Sequence, residues 1–399
     1  RNHPMPVVAQ SASQAEKPSV IPLYALQVLS YAGNALALPY VNLYVVASGV
    51  SASTLGILLS IGSMLEILIP PALSALADRY QRHRVLFIGF IGSLVVGNLL
   101  LAWFDQFIML AIAVIAIEMV FRPSLTLGMQ LVISRMEHES RQIVGRVRSF
   151  SSFGFGIASL LANRLFAFGG YFALFMSAAA TFTISLGLTR SLPEATTEKR
   201  SPKAVGAVPR SRGFYLLAVG MFFMLMAHRV GYAFWFVHFQ QNLGLSTEVI
   251  SLLIAFLALI EIPFFILLDR ILPHVNLQSA FLVGGVGMGF VWLFVGIVPN
   301  QFWLYILMIM RGAMFATFLL TTFLVIARVS HPENVATNQA LLQGTIPGFA
   351  TLLTAPLAGW AYDNLGAPIL FTTIFVTIII GIVISLPALR YIKNNESEA

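Results

Sequence analysis

A series of apolar stretches recurs from Val20 to Tyr391. A bilayer core requires roughly 20 apolar residues per helix, so each stretch predicts one membrane-spanning helix. Only 10% of the residues are charged, whereas soluble domains carry about 25%. We therefore predict an all-α polytopic membrane protein with twelve spans, at residues 20–46, 53–77, 85–103, 107–132, 143–167, 171–192, 213–241, 247–268, 277–298, 301–328, 336–361 and 367–391.

The Lys and Arg residues are distributed unevenly among the segments between these spans. Nineteen of the 23 lie in the two tails or in alternate loops, counting Arg390 at the end of the last span. The other four lie inside spans, and they are Arg122, Arg164, Arg229 and Arg311. Because Lys and Arg concentrate on the cytoplasmic side of membranes, we predict a plasma (inner) membrane protein with both termini in the cytoplasm. We expect the net charge of +7 to serve this orientation in the lipid, and not nucleic-acid binding.

A polar stretch near the midpoint divides the chain. Residues 193–212 are rich in Pro, Lys and Arg, and this composition predicts a cytoplasmic linker. They separate two six-helix halves, 20–192 and 213–391, which are flanked by cytoplasmic tails at 1–19 and 392–399.

The two halves repeat each other. When the first half is shifted by 195 positions, Gly49-Val50-Ser51 falls on Gly244-Leu245-Ser246, and Glu66 falls on Glu261. A chance match between apolar segments is the alternative, but a matched intramembrane glutamate favours a true repeat. Internal repeats around a midplane site are typical of secondary transporters.

Several classes of chemistry are excluded by what the sequence lacks. The chain contains no cysteine, no HExxH motif and no GxxxxGK[ST] loop. No set of nucleophile and base is visible either. We therefore expect no enzyme activity, no cofactor and no metal site.

The loop after the second span carries a known pattern. Residues 74–84, SALADRYQRHR, resemble the G-x-x-x-D-R-x-G-R-[KR] signature of the major facilitator superfamily, with Ser74 and Gln81 in place of its two glycines. The resemblance implies a cytoplasmic gate that clamps the two halves together. The alternative is an anchor that only sets orientation, and we favour both roles together. The predicted gate residues are Asp78, Arg79, Arg82, Arg84, Arg146 and Arg148.

Other segments resemble one branch of that superfamily, the lactose-permease-like and nucleoside–proton-symporter-like proteins. Residues 145–155 resemble the branch's pattern at the start of span 5, and Glu261-Ile262-Pro263 resembles its E-I-P in span 8. Arg311-Gly312 lies where the branch often has a histidine before the glycine, so a histidine role is not carried over. The resemblance is silent on the substrate.

Ionisable side chains inside membrane spans cost free energy, so each one requires a structural or functional explanation. Glu118 and Arg122 are four residues apart and share one helical face. They either form an ion pair that holds this helix against a neighbouring helix, or face the central cavity and separate to bind a polar solute. Glu261 has no charged neighbour within one turn on its own helix, which favours a proton carrier over a structural partner of Arg311. Glu66, its repeat partner, is either a second proton site or a structural acceptor. The predicted proton-coupling residues are Glu261, Glu118 and Glu66.

The remaining polar groups within spans are candidates for solute binding or for structural pairing. Arg229 and Arg311 stay charged when buried, so one could bind an anionic or hydroxylated solute while the other pairs with Glu261. His228, on another face of its helix, is predicted to pack or to contact the lipid interface. The predicted solute-binding residues are Arg122, Arg229, Arg311, Asn34 and Tyr31.

These observations and the resemblance together predict a secondary active transporter. We expect alternating access and proton-coupled symport of a small polar solute, such as a sugar, nucleoside or carboxylate, by a monomer whose second half dominates coupling. The first alternative is a proton-coupled efflux antiporter for sugars, drugs or metabolites. The second is a receptor or lipid-handling protein on the same fold that transports nothing.

Overall fold

The computed structural model describes residues 21–136, 142–189, 212–298, 300–330, 338–339 and 341–396. These ranges contain eleven α-helices and no strand. The predicted N-terminal tail, and all of the predicted linker except Arg212, lie outside them. The helices are α1 (Ile21–Ala47), α2 (Ala52–Tyr80), α3 (His83–Trp103), α4 (Phe107–Met136), α5 (Gln142–Thr189), α6 (Arg212–Gln241), α7 (Thr247–Ile271), α8 (Leu277–Ile297), α9 (Gln301–Val329), α10 (Ile346–Leu365) and α11 (Ala367–Glu396).

Helix α5 contains two of the predicted spans. Its backbone leaves the helical region at Gly169 and Gly170, and Gly170 adopts a positive φ of 59°. This conformation favours glycine, so the chain reverses between the two limbs at the predicted loop. Counting the limbs separately gives twelve segments, and ten of the eleven helices are long and apolar enough to cross a membrane. The predicted all-helical membrane fold is confirmed.

The repeated turn has the same local structure in both halves. Gly49 and Gly244 adopt positive φ angles of 90° and 65°. Ser51 and Ser246 then cap α2 and α7, each accepting a hydrogen bond from the backbone N–H three residues on, at 3.1 and 3.4 Å. The matched sequence therefore begins the second helix of each half with the same turn and cap.

Two pairs of helices pack against each other across the halves, α2 with α10 and α5 with α7. Gly56 and Gly359 lie in the first contact, and a methyl group on either would overlap the opposite backbone. Small residues of this kind let membrane helices approach closely. The position of α2 is therefore fixed partly by the other half of the chain.

Side-chain hydrogen bonds also join the halves near the loops that lack Lys and Arg, which we call the outer end. The carboxylate of Asp363 accepts from the backbone N–H groups of Ala52 and Ser53 at 3.2 and 2.7 Å, and from the Ser53 hydroxyl at 2.5 Å. Asn42 donates to the Ala233 carbonyl at 3.1 Å, joining α1 to α6. These hydrogen bonds hold the two halves together at the outer end.

Candidate functional site

Three charged side chains form one group between α2 and α4. Arg122 donates through one terminal nitrogen to Glu66, and through the other to Glu118 at 2.8 Å. The predicted face shared by Glu118 and Arg122 is present, because residues four apart meet on a helix. Glu66 joins them from the neighbouring helix. We call these three residues the acidic triad, since it combines two carboxyl groups with one guanidinium.

Close packing of α2 on α4 makes this group possible. A methyl group on Gly62 would lie 2.7 Å from the Glu118 side chain, so glycine leaves the room that Glu118 occupies. Ser63 donates to Glu118 at 3.5 Å, a long hydrogen bond. The side chains of both glutamates are only 10% exposed, so their charges are largely removed from solvent.

The second half contains a simpler pair. Arg311 of α9 donates to Glu261 of α7, which is the partner that the sequence left open for Glu261. The guanidinium carbon also lies over the rings of Tyr232, Trp235 and Phe315, at 5.1, 5.5 and 4.6 Å from their centroids. These contacts add cation–π attraction to the ion pair. Arg311 is 3% exposed, so little of it is free to contact a solute in this state.

His228 lies beside this pair and is part of the protein core. It is 8% exposed and accepts a hydrogen bond from the Trp292 indole N–H at 3.0 Å. Its ring lies parallel to Phe315 within 2°, with the centroids 5.9 Å apart. The predicted packing role is therefore observed, whereas a lipid-interface position is not. This partner could not be predicted from the sequence, because Trp292 is 64 residues away along the chain.

The structure places the other predicted solute-binding residues on α1 and α6. Asn34 donates to the Ser30 carbonyl of its own helix at 2.8 Å. Arg229 and Tyr31 are half-buried on α6 and α1. Arg122 and Arg311 are each paired with carboxylates.

The predicted gate lies at the junction of α2 and α3. Asp78 is in contact with His83 of the same junction, at 2.5 Å, and Arg79 lies over the neighbouring Tyr80 ring at 5.9 Å. Arg82 precedes the first turn of α3, and Arg84 is within it. Arg146 and Arg148 belong to the first turns of α5, and their side chains lie outside what the structure describes. A clamp between the halves stays a prediction.

Comparison with known proteins gives a consistent result. Residues 21–373 match the family model described as "MFS_1 like family". The chain is 20% identical over 387 residues to the uncharacterized transporter YwbF of Bacillus subtilis, covering 94% of each protein.

Solved structures share the fold. The crystal structure of the nucleoside transporter NupG superimposes with a TM-score of 0.72 at 15% identity, covering 93% of this chain and 98% of the other. The human organic anion transporter MFSD10 gives a TM-score of 0.64 at 15% identity, covering 92% and 98%. At such identities the likeness establishes the fold alone. The helical architecture and the family match together show that this chain belongs to the MFS_1-like family of the major facilitator superfamily, whose members are membrane transporters and not enzymes.

Proposed function

We propose that this transporter carries a small polar solute by proton-coupled symport, and that the acidic triad is its main proton site. The observation behind this proposal is the imbalance of charge, since Glu66 and Glu118 share the single guanidinium of Arg122. With every group ionised the triad has one surplus negative charge within two membrane spans. One bound proton removes that surplus, and buried surplus charge is expensive.

The pair in the second half has a different balance. Glu261 and Arg311 contribute one negative and one positive charge, so the ionised pair is already neutral. Glu261 remains a candidate proton carrier, but protonating it would leave the positive charge of Arg311 without its partner. This comparison shifts the expected centre of coupling toward the first half, away from the second half favoured by the sequence.

Alternating access requires an outer closure that can open, and the contacts at the outer end are suited to this role. They include hydrogen bonds between polar side chains, as from Gln240 to Tyr171 at 3.2 Å. Polar contacts of this type exchange for water at little cost. The state described is therefore proposed to be the one that is closed on the outer side.

The solute class is proposed from the neighbours and from the resemblance. NupG is described as a nucleoside transporter and MFSD10 as an organic anion transporter, and the resemblance adds sugars. Nucleosides, sugars and carboxylates are accordingly the three classes to be tested.

The test uses the purified protein in liposomes that contain a pH-sensitive dye. Uridine, D-glucose and L-lactate are added in turn, one for each class, and protein-free liposomes are the control. Symport predicts that the transported solute carries protons inward and acidifies the lumen. Luminal alkalinisation on solute uptake would support proton antiport instead, and uptake with no pH change would refute coupling.

A further inference from the structure

The hydrogen bond between Trp292 and His228 fixes where the imidazole proton lies. An indole N–H can only donate, so Nδ1 of His228 must accept this bond. A doubly protonated ring has an N–H at both nitrogens and could not accept. His228 is therefore neutral in this arrangement and carries its proton on Nε2, which makes Nε2 a hydrogen-bond donor.

Two buried donors beside the same rings have no acceptor among the described residues. One is Nε2 of His228, and the other is Nε of Arg311. The two side chains are 8% and 3% exposed. Both residues lie against Phe315 and Tyr232. Native proteins pair nearly all buried polar groups, so these two donors require an acceptor that the described side chains do not supply.

The surroundings of these donors restrict what could bind there. The rings of Tyr232, Trp235 and Phe315 provide flat apolar faces, and flat rings stack on such faces. The charge of Arg311 is already balanced by Glu261, so the group offers no free charge to an ion. A neutral, planar ring with acceptor atoms on its edge matches this combination.

We infer that His228, Tyr232, Trp235, Arg311 and Phe315, which we call the aromatic cluster, bind the transported solute as a neutral heteroaromatic ring. His228 donates from Nε2 to a carbonyl oxygen or ring nitrogen of that ring, and it thereby selects the solute. The inference rests on the proposed transport function and deepens it. Both donors are buried in the present state, so the solute enters as the side chains of Tyr232 and Phe315 move apart.

Three variants separate hydrogen bonding from packing. His228→Phe keeps a flat ring and removes the donor. His228→Gln places an amide N–H close to the position of Nε2. Trp292→Phe removes the indole donor but leaves Nε2 of His228 able to donate. All three are checked for a single symmetric peak in size-exclusion chromatography and for a melting temperature near that of the unmodified protein.

Binding is followed by tryptophan fluorescence of the purified full chain, because Trp235 and Trp292 are two of its five tryptophans. The probes are uridine and nicotinamide, which are planar and carry carbonyl oxygens, and D-glucose, which is not planar. Concentrations extend to about 10 mM, beyond the usual range of KM. We expect at least one planar probe to bind, with affinity lowered about tenfold in His228→Phe. We expect the affinities of His228→Gln and Trp292→Phe to stay within about threefold.

Two results would overturn the inference. One is equal affinity of a planar probe for His228→Phe and the unmodified protein, which would mean that Nε2 contacts only water or packing atoms. The other is binding of neither planar probe. Failure here is separable from failure of the transport proposal, since glucose or lactate uptake could still drive protons. If no proton movement is seen but His228→Phe still lowers the affinity for a planar probe, only the proposed proton coupling is contradicted.

Discussion

The backbone at Gln81 adopts a left-handed conformation with φ of 54°. Gln81 occupies the position at which the superfamily signature has glycine, the residue that reaches this region without steric cost. A residue with a side chain loses roughly 1–2 kcal/mol there. The Gln81 amide donates to the Asp78 carbonyl at 2.8 Å, which offsets part of that cost. Gln81 therefore adopts the backbone conformation that glycine favours, although the glycine of the signature is absent.

Replacing Gln81 with glycine should therefore stabilise the protein. We expect Gln81→Gly to raise the free energy of unfolding by about 1 kcal/mol, because the turn relaxes while one exposed hydrogen bond is lost. Differential scanning fluorimetry of the detergent-solubilised protein measures the shift. Tyr80→Gly, at the last helical residue of α2, is the matched control and should lower the melting temperature. A lower melting temperature for Gln81→Gly would contradict the strain argument.

Pairings within one helix can be read from the sequence, and pairings between helices cannot. Glu118 and Arg122 are predicted as neighbours because their spacing of four is a local property of a helix. The contact of Glu66 with Arg122 joins residues 56 positions apart, and it depends on how α2 packs on α4. The orientation of His228 toward Trp292 could not be predicted from the sequence for the same reason.

At the level of helices, the contact between α2 and α10 depends on glycine. Gly56 faces the backbone at Ala355, and Gly359 faces the backbone at Ala52. Backbone atoms cannot move aside as a flexible side chain can, so a larger residue must push the helices apart. The contact therefore holds the two halves at a fixed distance near the outer end.

Gly56→Ala should separate α2 from α10. We expect a loss of about 1–3 kcal/mol in stability, which is typical of overpacking, together with slower transport. Gly89 of α3 provides the matched control, because a methyl group there would meet no atom within 4 Å. Gly89→Ala should be neutral or slightly stabilising, since alanine favours helix. Equal melting temperatures for Gly56→Ala and Gly89→Ala would show that the helices are not in close contact.

The presence of the helices could be predicted from the sequence, but the residues at which some of them end could not. The predicted spans end at residues 77, 132 and 361, whereas α2, α4 and α10 continue to Tyr80, Met136 and Leu365. Hydropathy falls where a helix leaves the apolar layer, but backbone hydrogen bonds continue until a cap or turn ends them. The extension of α10 matters most, because it places Asp363 on its last turn and not in a loop.

In the whole molecule, Asp363 connects the two halves through the N-terminus of α2. Its carboxylate accepts from two backbone N–H groups and one hydroxyl. A negative charge at a helix N-terminus is favourable, because unpaired N–H groups and the helix dipole both point to it. This contact should favour the state that is closed on the outer side.

Asp363→Ala should raise the population of states that are open on the outer side. Loss of a helix cap costs about 1 kcal/mol, which corresponds to roughly a fivefold change in that equilibrium. Because the chain has no cysteine, spin labels can be placed at Asp105→Cys and Gln241→Cys, on opposite halves. Double electron–electron resonance should show longer distances in Asp363→Ala and unchanged distances in Asn364→Ala, whose amide bonds its own helix. Identical distributions for both variants would remove Asp363 from the closure.

We propose that the acidic triad couples protons to solute movement. The most direct test compares two assays in liposomes: accumulation of the transported probe driven by a proton gradient, and exchange of probe at equal pH. We expect the combined Glu66→Gln and Glu118→Gln variant to lose gradient-driven accumulation while retaining exchange. Asp105→Asn, an exposed acidic residue outside the triad, should retain both activities. Continued accumulation by the variant that lacks both triad carboxylates would show that the triad does not couple protons to solute movement.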